Sequence, residues 1–163
     1  MKLETSQLCR LEGIARDAGE KILSVYESDD FDVESKGDGS PLTRADRLAH
    51  ETIVAGLLQL TPDVPVLSEE SGEKEMEDRH EWGTYWLVDP LDGTKEFIKR
   101  NGEFTVNIAL VQAGRPVFGV VYAPVLDTVF CGGEGYGAWR VDGAERQRRD
   151  ISVSDYASGC ATV

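Results

Sequence analysis

Apolar residues near the start of the chain recur mostly at steps of three and four: Leu8, Leu11, Ala15, Ala18, Ile22, Val25 and Tyr26. This stripe predicts one amphipathic helix over about residues 4–27. A short strand is expected at 33–35, and the Lys-Gly-Asp-Gly-Ser-Pro run at 36–41 reads as a loop. Thr43 then stands as an N-cap with Asp46 three residues on, a variant of the capping box. The helix it opens carries Ala49, Ile53, Leu57 and Leu60 on one face, and Thr61-Pro62 closes it. After that the period changes. Residues 64–67 and 84–88 read as strands, the second ending just before Asp89-Pro90, with Pro90 expected to stop the ladder. Residues 69–81 between them are dominated by charge and read as a solvated loop. From Phe104 onward the pattern is all strand, over 104–111, 116–122, 128–131, 138–141 and 151–153, with 142–149 a polar turn. The expected fold class is therefore α+β, two N-terminal helices packed on a largely antiparallel β-sheet.

Composition narrows the function. Seventeen basic residues face 30 acidic ones, a net charge of −13 over 163 residues. That field repels DNA or RNA, so no nucleic-acid polymer is expected as a partner. It suits a phosphate substrate only if bound divalent metal inverts the local charge. Three cysteines (Cys9, Cys131 and Cys160) form no CxxC pair and read as free thiols. The N-terminus carries charge where a signal peptide needs an apolar run, and no stretch matches a membrane span of about 20 apolar residues. A cytoplasmic protein is expected, with peripheral inner-membrane association left open, as is a homodimer.

The candidate chemistry lies at Trp86-Leu-Val-Asp89-Pro90-Leu91-Asp92-Gly93-Thr94. A strand delivers Asp89, and Asp92 returns three residues later, so both carboxylates can reach one site with the Leu91 carbonyl between them. Hard oxygen ligands of this kind suit Mg²⁺. Gly93 and Thr94 open an expected helix at 94–100, whose first N–H groups can cradle a phosphate. The pentapeptide taken alone reads equally as a β-turn with Asp92 as a helix cap. Glu69 and Glu70 follow a strand that can share a sheet edge with Asp89, although composition alone makes them loop charge.

Asp46 after Thr43, Ser68-Glu69-Glu70 and Trp86-x-x-Asp-Pro-x-Asp-Gly-Thr together resemble the lithium-sensitive, magnesium-dependent inositol monophosphatase superfamily. The longer run from Asp89 through Lys95-Glu-Phe to Leu110, with 61–70 upstream, looks like the bacterial 3′(2′),5′-bisphosphate nucleotidase branch. The resemblance spans about residues 5–153. It implies hydrolysis of adenosine 3′,5′-bisphosphate to AMP and phosphate by a metal-activated water, with two or three Mg²⁺ ions, inhibition by Li⁺ and a place in sulfur metabolism. It implies that Glu69 binds a first metal, Asp89 bridges two, Leu91 offers its backbone oxygen and Asp92 binds the second. Asp46 and Thr94, with Glu69, would serve the attacking water. Glu69, Leu91, Asp92, Gly93 and Thr94 would meet the substrate. One departure stands out. The superfamily's Trp-Asp-x-x-Ala-Gly motif is missing, so 1–163 is expected to be an N-terminal metal-binding phosphatase domain whose second α/β domain lies outside the chain. Two other readings are an inositol monophosphatase or sugar bisphosphatase, and, from a different class, a catalytically silent metal-binding domain.

Other residues have plainer readings. Lys36 is either a surface lysine or a group near the phosphate. His50 and His80 read as solvated, without zinc-ligand spacing. Trp82, Trp86 and Trp139 read as core or edge aromatics. Lys95, Lys99 and Arg100 form a basic face that is either solvated or steers substrate.

Overall fold

A computed structural model describes residues 1–28, 31–35, 41–72, 79–143 and 147–153. The expected first helix is α1, Thr5–Tyr26, and its Leu11, Ile14, Ala15, Ala18, Ile22 and Val25 are all buried. Strands β1 (Glu34–Ser35) and β2 (Pro41–Leu42) form a small antiparallel pair. Helix α2, Arg44–Leu60, opens on the expected Thr43 cap and turns Ala49, Ile53 and Leu57 inward. A seven-stranded sheet follows: β3 (Val66–Ser68), β4 (Thr84–Asp92), β5 (Thr105–Gln112), β6 (Arg115–Ala123), β7 (Thr128–Gly133), β8 (Gly137–Asp142) and β9 (Gln147–Asp150). The five-residue helix α3, Thr94–Ile98, leaves the end of β4.

Strand order in space is strand order in sequence. Among the described residues only β3 and β4 run parallel, and every later neighbour is antiparallel. Both helices lie on one face of this sheet. Trp86, Val88, Ile108, Leu110, Phe118, Val120, Cys131 and Trp139 are buried on that side. The indole N–H of Trp86 donates to Thr61 Oγ1 at 2.8 Å, so the largest core side chain leaves no polar atom unsatisfied where α2 ends. On the opposite face Leu87, Val121 and Phe130 remain exposed.

The helices cross closely because Gly56 has no side chain. A Cβ there would lie 2.7 Å from Cγ1 of the buried Ile14. Alanine would gain about 1 kcal/mol of helix propensity. Overpacking a closed core costs about 1–3 kcal/mol, so Gly56→Ala is expected to destabilise the chain on balance. A lower urea midpoint at unchanged slope checks this, and a raised midpoint would contradict it.

Besides Pro41, which joins β2 instead of the expected loop, and shifts of one or two residues at other ends, three boundaries differ from the expectation. First, β4 does not stop at Asp89 but continues to Asp92. Asp89 faces Asn107 and Asp92 faces Thr105, so three steps on β4 meet two on β5. Pro90, which cannot donate to a ladder, sits inside that bulge. Second, α3 ends at Ile98 because Arg100 takes a left-handed conformation (φ 58°). Third, the last strand is the all-exposed Gln147–Asp150, not 151–153. Backbone pairing with β8 makes it an edge strand, and Arg148 stacks on the Trp139 ring at 3.9 Å.

Candidate metal and phosphate site

The bulge in β4 determines where the carboxylates meet. In a regular strand, residues three apart point to opposite faces. One inserted residue restores Asp92 to the side of Asp89. A side-chain contact shows this directly: Asn107, the cross-strand partner of Asp89, donates from Nδ2 to Asp92 Oδ2 at 3.0 Å. Glu69 arrives from the neighbouring strand. It follows β3, and its N–H donates to Val88 O at 3.0 Å. Its negative charge acts on the carboxyl group of Asp89. The structure thus brings Glu69, Asp89 and Asp92 together, each from the place the sequence assigned.

Electrostatics make the cluster receptive to a cation. Burial, then the charge of Glu69, then that of Asp92, push the Asp89 carboxyl up to about 7, against a partial pull downward from the Leu91 N–H. Asp89 Oδ1 is buried and has no hydrogen-bond partner among the described residues. A buried acceptor in that state carries a desolvation penalty that a hard cation would relieve. The donor set therefore fits Mg²⁺: three carboxylates plus the carbonyl of Leu91, which accepts from Thr94 Oγ1 at 3.2 Å. Among the described residues no three His, Cys, Asp or Glu side chains already close around one point. An open cluster is what Mg²⁺ tolerates, since it keeps waters and takes substrate oxygens.

A pH dependence follows. In the metal-free chain the folded carboxyl of Asp89 titrates near 7, above its unfolded value of 3.8. The folded state therefore holds the proton more tightly. Its stabilising contribution is complete below about pH 4 and is lost as pH rises through about 7. Added Mg²⁺ should raise the melting temperature more at about pH 8 than at about pH 5, with proton release on binding near neutrality. Equal metal-induced shifts at both pH values would contradict this.

Beside the cluster, Gly93 takes φ 97° and begins α3. A side chain there would meet Glu103 O at 2.8 Å, so only glycine fits the turn. A small pocket of about 250 Å³ lies over it, lined by Pro41, Glu69, Asp92, Gly93, Thr94, Lys95 and Glu96. Asp46 supports it from beneath. This residue is 1% exposed, and Oδ2 accepts from the Thr43 N–H (2.7 Å) and hydroxyl (2.5 Å). Its Oδ1 accepts from Thr94 Oγ1 at 3.1 Å. The capping residue of α2 and the turn residue of α3 thus share one carboxylate.

Two residues that the sequence reading passed over serve the same place. His50 is half-buried rather than solvated, with Nδ1 2.8 Å from Ser68 Oγ. Ser68 Oγ also accepts from the Glu70 N–H at 3.3 Å, so His50 braces the turn that carries Glu69. The available signal was its place one turn after Asp46 on the same helix. The other is Asn107. Its pairing across strands left no local signal beyond a polar residue in an apolar strand. Of the basic face, Arg100 is spoken for. Its guanidinium donates to the carbonyls of Tyr26 and Ser28 and lies over the Phe31 ring at 4.7 Å. Lys99 pairs with Glu96 at 3.5 Å, while Lys95 stays exposed at the pocket. Lys36, the side chain of His80, Cys160 and residues 73–78 of the expected charged loop lie outside the described residues, while Arg79–Glu81 form a 3₁₀ turn rather than open loop.

Known proteins share this sequence and this fold. The model of the inositol monophosphatase family matches residues 5–160. The chain is 55% identical over 150 residues to the 3′(2′),5′-bisphosphate nucleotidase CysQ of Escherichia coli K12, covering 91% of this chain and 58% of that protein. It superposes on the crystal structure of CysQ from Bacteroides thetaiotaomicron with TM-score 0.70 and 48% identity, over 93% of this chain and 52% of that one. The extragenic suppressor protein SuhB from Bartonella henselae gives TM-score 0.75 and 31% identity, over 93% and 55% of the two chains. The chain thus spans little more than half the length of these relatives. No described helix is long and apolar enough to cross a membrane.

Proposed function

The chain belongs to the inositol monophosphatase family, and on that premise we propose that it supplies the metal-binding half of a Mg²⁺-dependent phosphomonoesterase acting on adenosine 3′,5′-bisphosphate. The products are AMP and phosphate. The observation that carries the reading is the convergence of Glu69, Asp89 and Asp92, with the buried, unpartnered Asp89 Oδ1, beside the Gly93–Thr94 turn. The resemblance to CysQ relatives supports the nucleotide over inositol phosphate or a sugar bisphosphate. The greater length of those relatives supports assigning 1–163 to an N-terminal metal-binding domain, with the rest of the pocket supplied by a second domain.

In this proposal Glu69, Asp89, the Leu91 carbonyl and Asp92 hold the metal. Bound there, Mg²⁺ supplies the positive charge that polarises phosphoryl oxygens and acidifies a water. The chain's own groups do the placing. Asp46 is too buried to touch the water itself, and both its oxygens are engaged. It works through Thr94. The Thr94 hydroxyl proton is shared between Asp46 Oδ1 and Leu91 O, which leaves the Oγ1 lone pairs to accept a hydrogen from the attacking water. The first-turn N–H groups of α3 have no intrahelical acceptors and can receive the phosphate oxygens. A loose phosphoryl transition state asks chiefly for this placement and charge.

Phosphate release by the full-length protein from adenosine 3′,5′-bisphosphate and from inositol 1-phosphate tests the assignment. The nucleotide should turn over faster and only with Mg²⁺. Faster turnover of inositol 1-phosphate would move the protein to another branch of the family.

A further inference from the structure

Asp92, like Glu69, is an exposed member of the carboxylate cluster, so packing does not hold its side chain. What holds it is a relay on β5. Thr105 Oγ1 donates to Asn107 Oδ1 at 3.1 Å, and Asn107 Nδ2 donates to Asp92 Oδ2 at 3.0 Å. Thr105 and Asn107 are two apart on one strand, hence on one face, and that face meets Asp92 only because of the β4 bulge. The order of donors fixes the amide. Because the ionised Asp92 carboxylate only accepts, the NH₂ group must face it, which leaves Oδ1 to take the Thr105 hydroxyl proton.

We propose that Asn107, oriented by Thr105, is a positioning residue for the metal ligand Asp92. The inference rests on the reading of Glu69, Asp89 and Asp92 as a Mg²⁺ site. The amide ties down one oxygen of Asp92 and leaves Oδ1 for the cation. A neutral donor serves this purpose where a lysine would not, because an ammonium would compete with the metal for the same charge. It also limits the freedom of a surface carboxylate that would otherwise lose rotamer entropy on binding. Partners that orient ligating carboxylates typically contribute about 10-fold or more in metal affinity.

The test is Mg²⁺ titration of the 163-residue chain, read by calorimetry and by the metal-induced rise in melting temperature. Asn107→Leu, close to isosteric, should weaken Mg²⁺ binding about 10-fold while leaving the metal-free melting temperature unchanged. Thr105→Val should weaken it by a smaller factor, about 3-fold, since the amide remains but can flip. The double variant should match Asn107→Leu alone, because Thr105 acts only through Asn107. Asn107→Gln, which keeps the donor on a longer arm, should recover part of the loss. Asp92→Asn is the control. If Asp92→Asn weakens Mg²⁺ binding and Asn107→Leu does not, the positioning role is overturned and the metal site stands. If neither variant matters, or the wild-type chain gives no Mg²⁺ response, the metal-site reading falls and takes this inference with it. Additive effects of Asn107→Leu and Thr105→Val would also overturn the relay.

Discussion

Replacing Asp89 with asparagine is expected to lower Mg²⁺-dependent phosphate release by the full-length protein at least about 1,000-fold, the scale on which a group that stabilises transition-state charge is lost. The substitution is nearly isosteric, so the fold should survive. Indeed the metal-free variant should be more stable than wild type at about pH 8, because the charge buried beside Glu69 and Asp92 is gone. Activity and stability should therefore move in opposite directions, a pattern that general misfolding cannot produce. Raising the Mg²⁺ concentration should not restore turnover. Activity at saturating Mg²⁺ within about 10-fold of wild type would remove Asp89 from the mechanism.

Asp46→Ala should be costly to both fold and function. The Thr43 N–H and hydroxyl would lose their shared acceptor in a position that is 0% exposed. Leaving buried donors unsatisfied costs about 1–3 kcal/mol each, so a loss of about 2–6 kcal/mol is expected from urea unfolding. The Thr94 hydroxyl would lose its acceptor as well and could turn wholly to Leu91 O. Turnover should fall about 100-fold or more under conditions where the variant remains folded, with little change in KM, since Asp46 reaches substrate only through Thr94. Comparing kcat with KM separates this role from simple instability. A large rise in KM at unchanged kcat would contradict it.

Much of this was legible in the residue pattern. The 3.6-residue stripe of α1 and the Thr43–Asp46 start of α2 are local features, and they appear where the pattern puts them. So do the hairpins from β5 to β8, because alternation and short polar turns are also local signals. Glu69, Asp89 and Asp92 stood out through the family resemblance of their motifs, since without it they read equally well as a turn and loop charge. Features that depend on register were not. The bulge at Pro90 arises from pairing with β5, and neither strand announces it alone. Asn107 and His50 act across 15 and 18 positions of sequence, so no periodicity within either element could reveal their partners. The last strand, Gln147–Asp150, is polar throughout and owes its conformation to the β8 edge rather than to strand propensity.

Anomalous diffraction from crystals grown with Mn²⁺, a close mimic of Mg²⁺ in oxygen-ligand sites, addresses the metal assignment head-on. A strong peak about 2.1–2.3 Å from carboxylate oxygens of both Asp89 and Glu69, with Asp92 or the Leu91 carbonyl completing the set, is the predicted result. Ordered Mn²⁺ bound elsewhere on this acidic chain, with density around Asp89 holding only water, would contradict it.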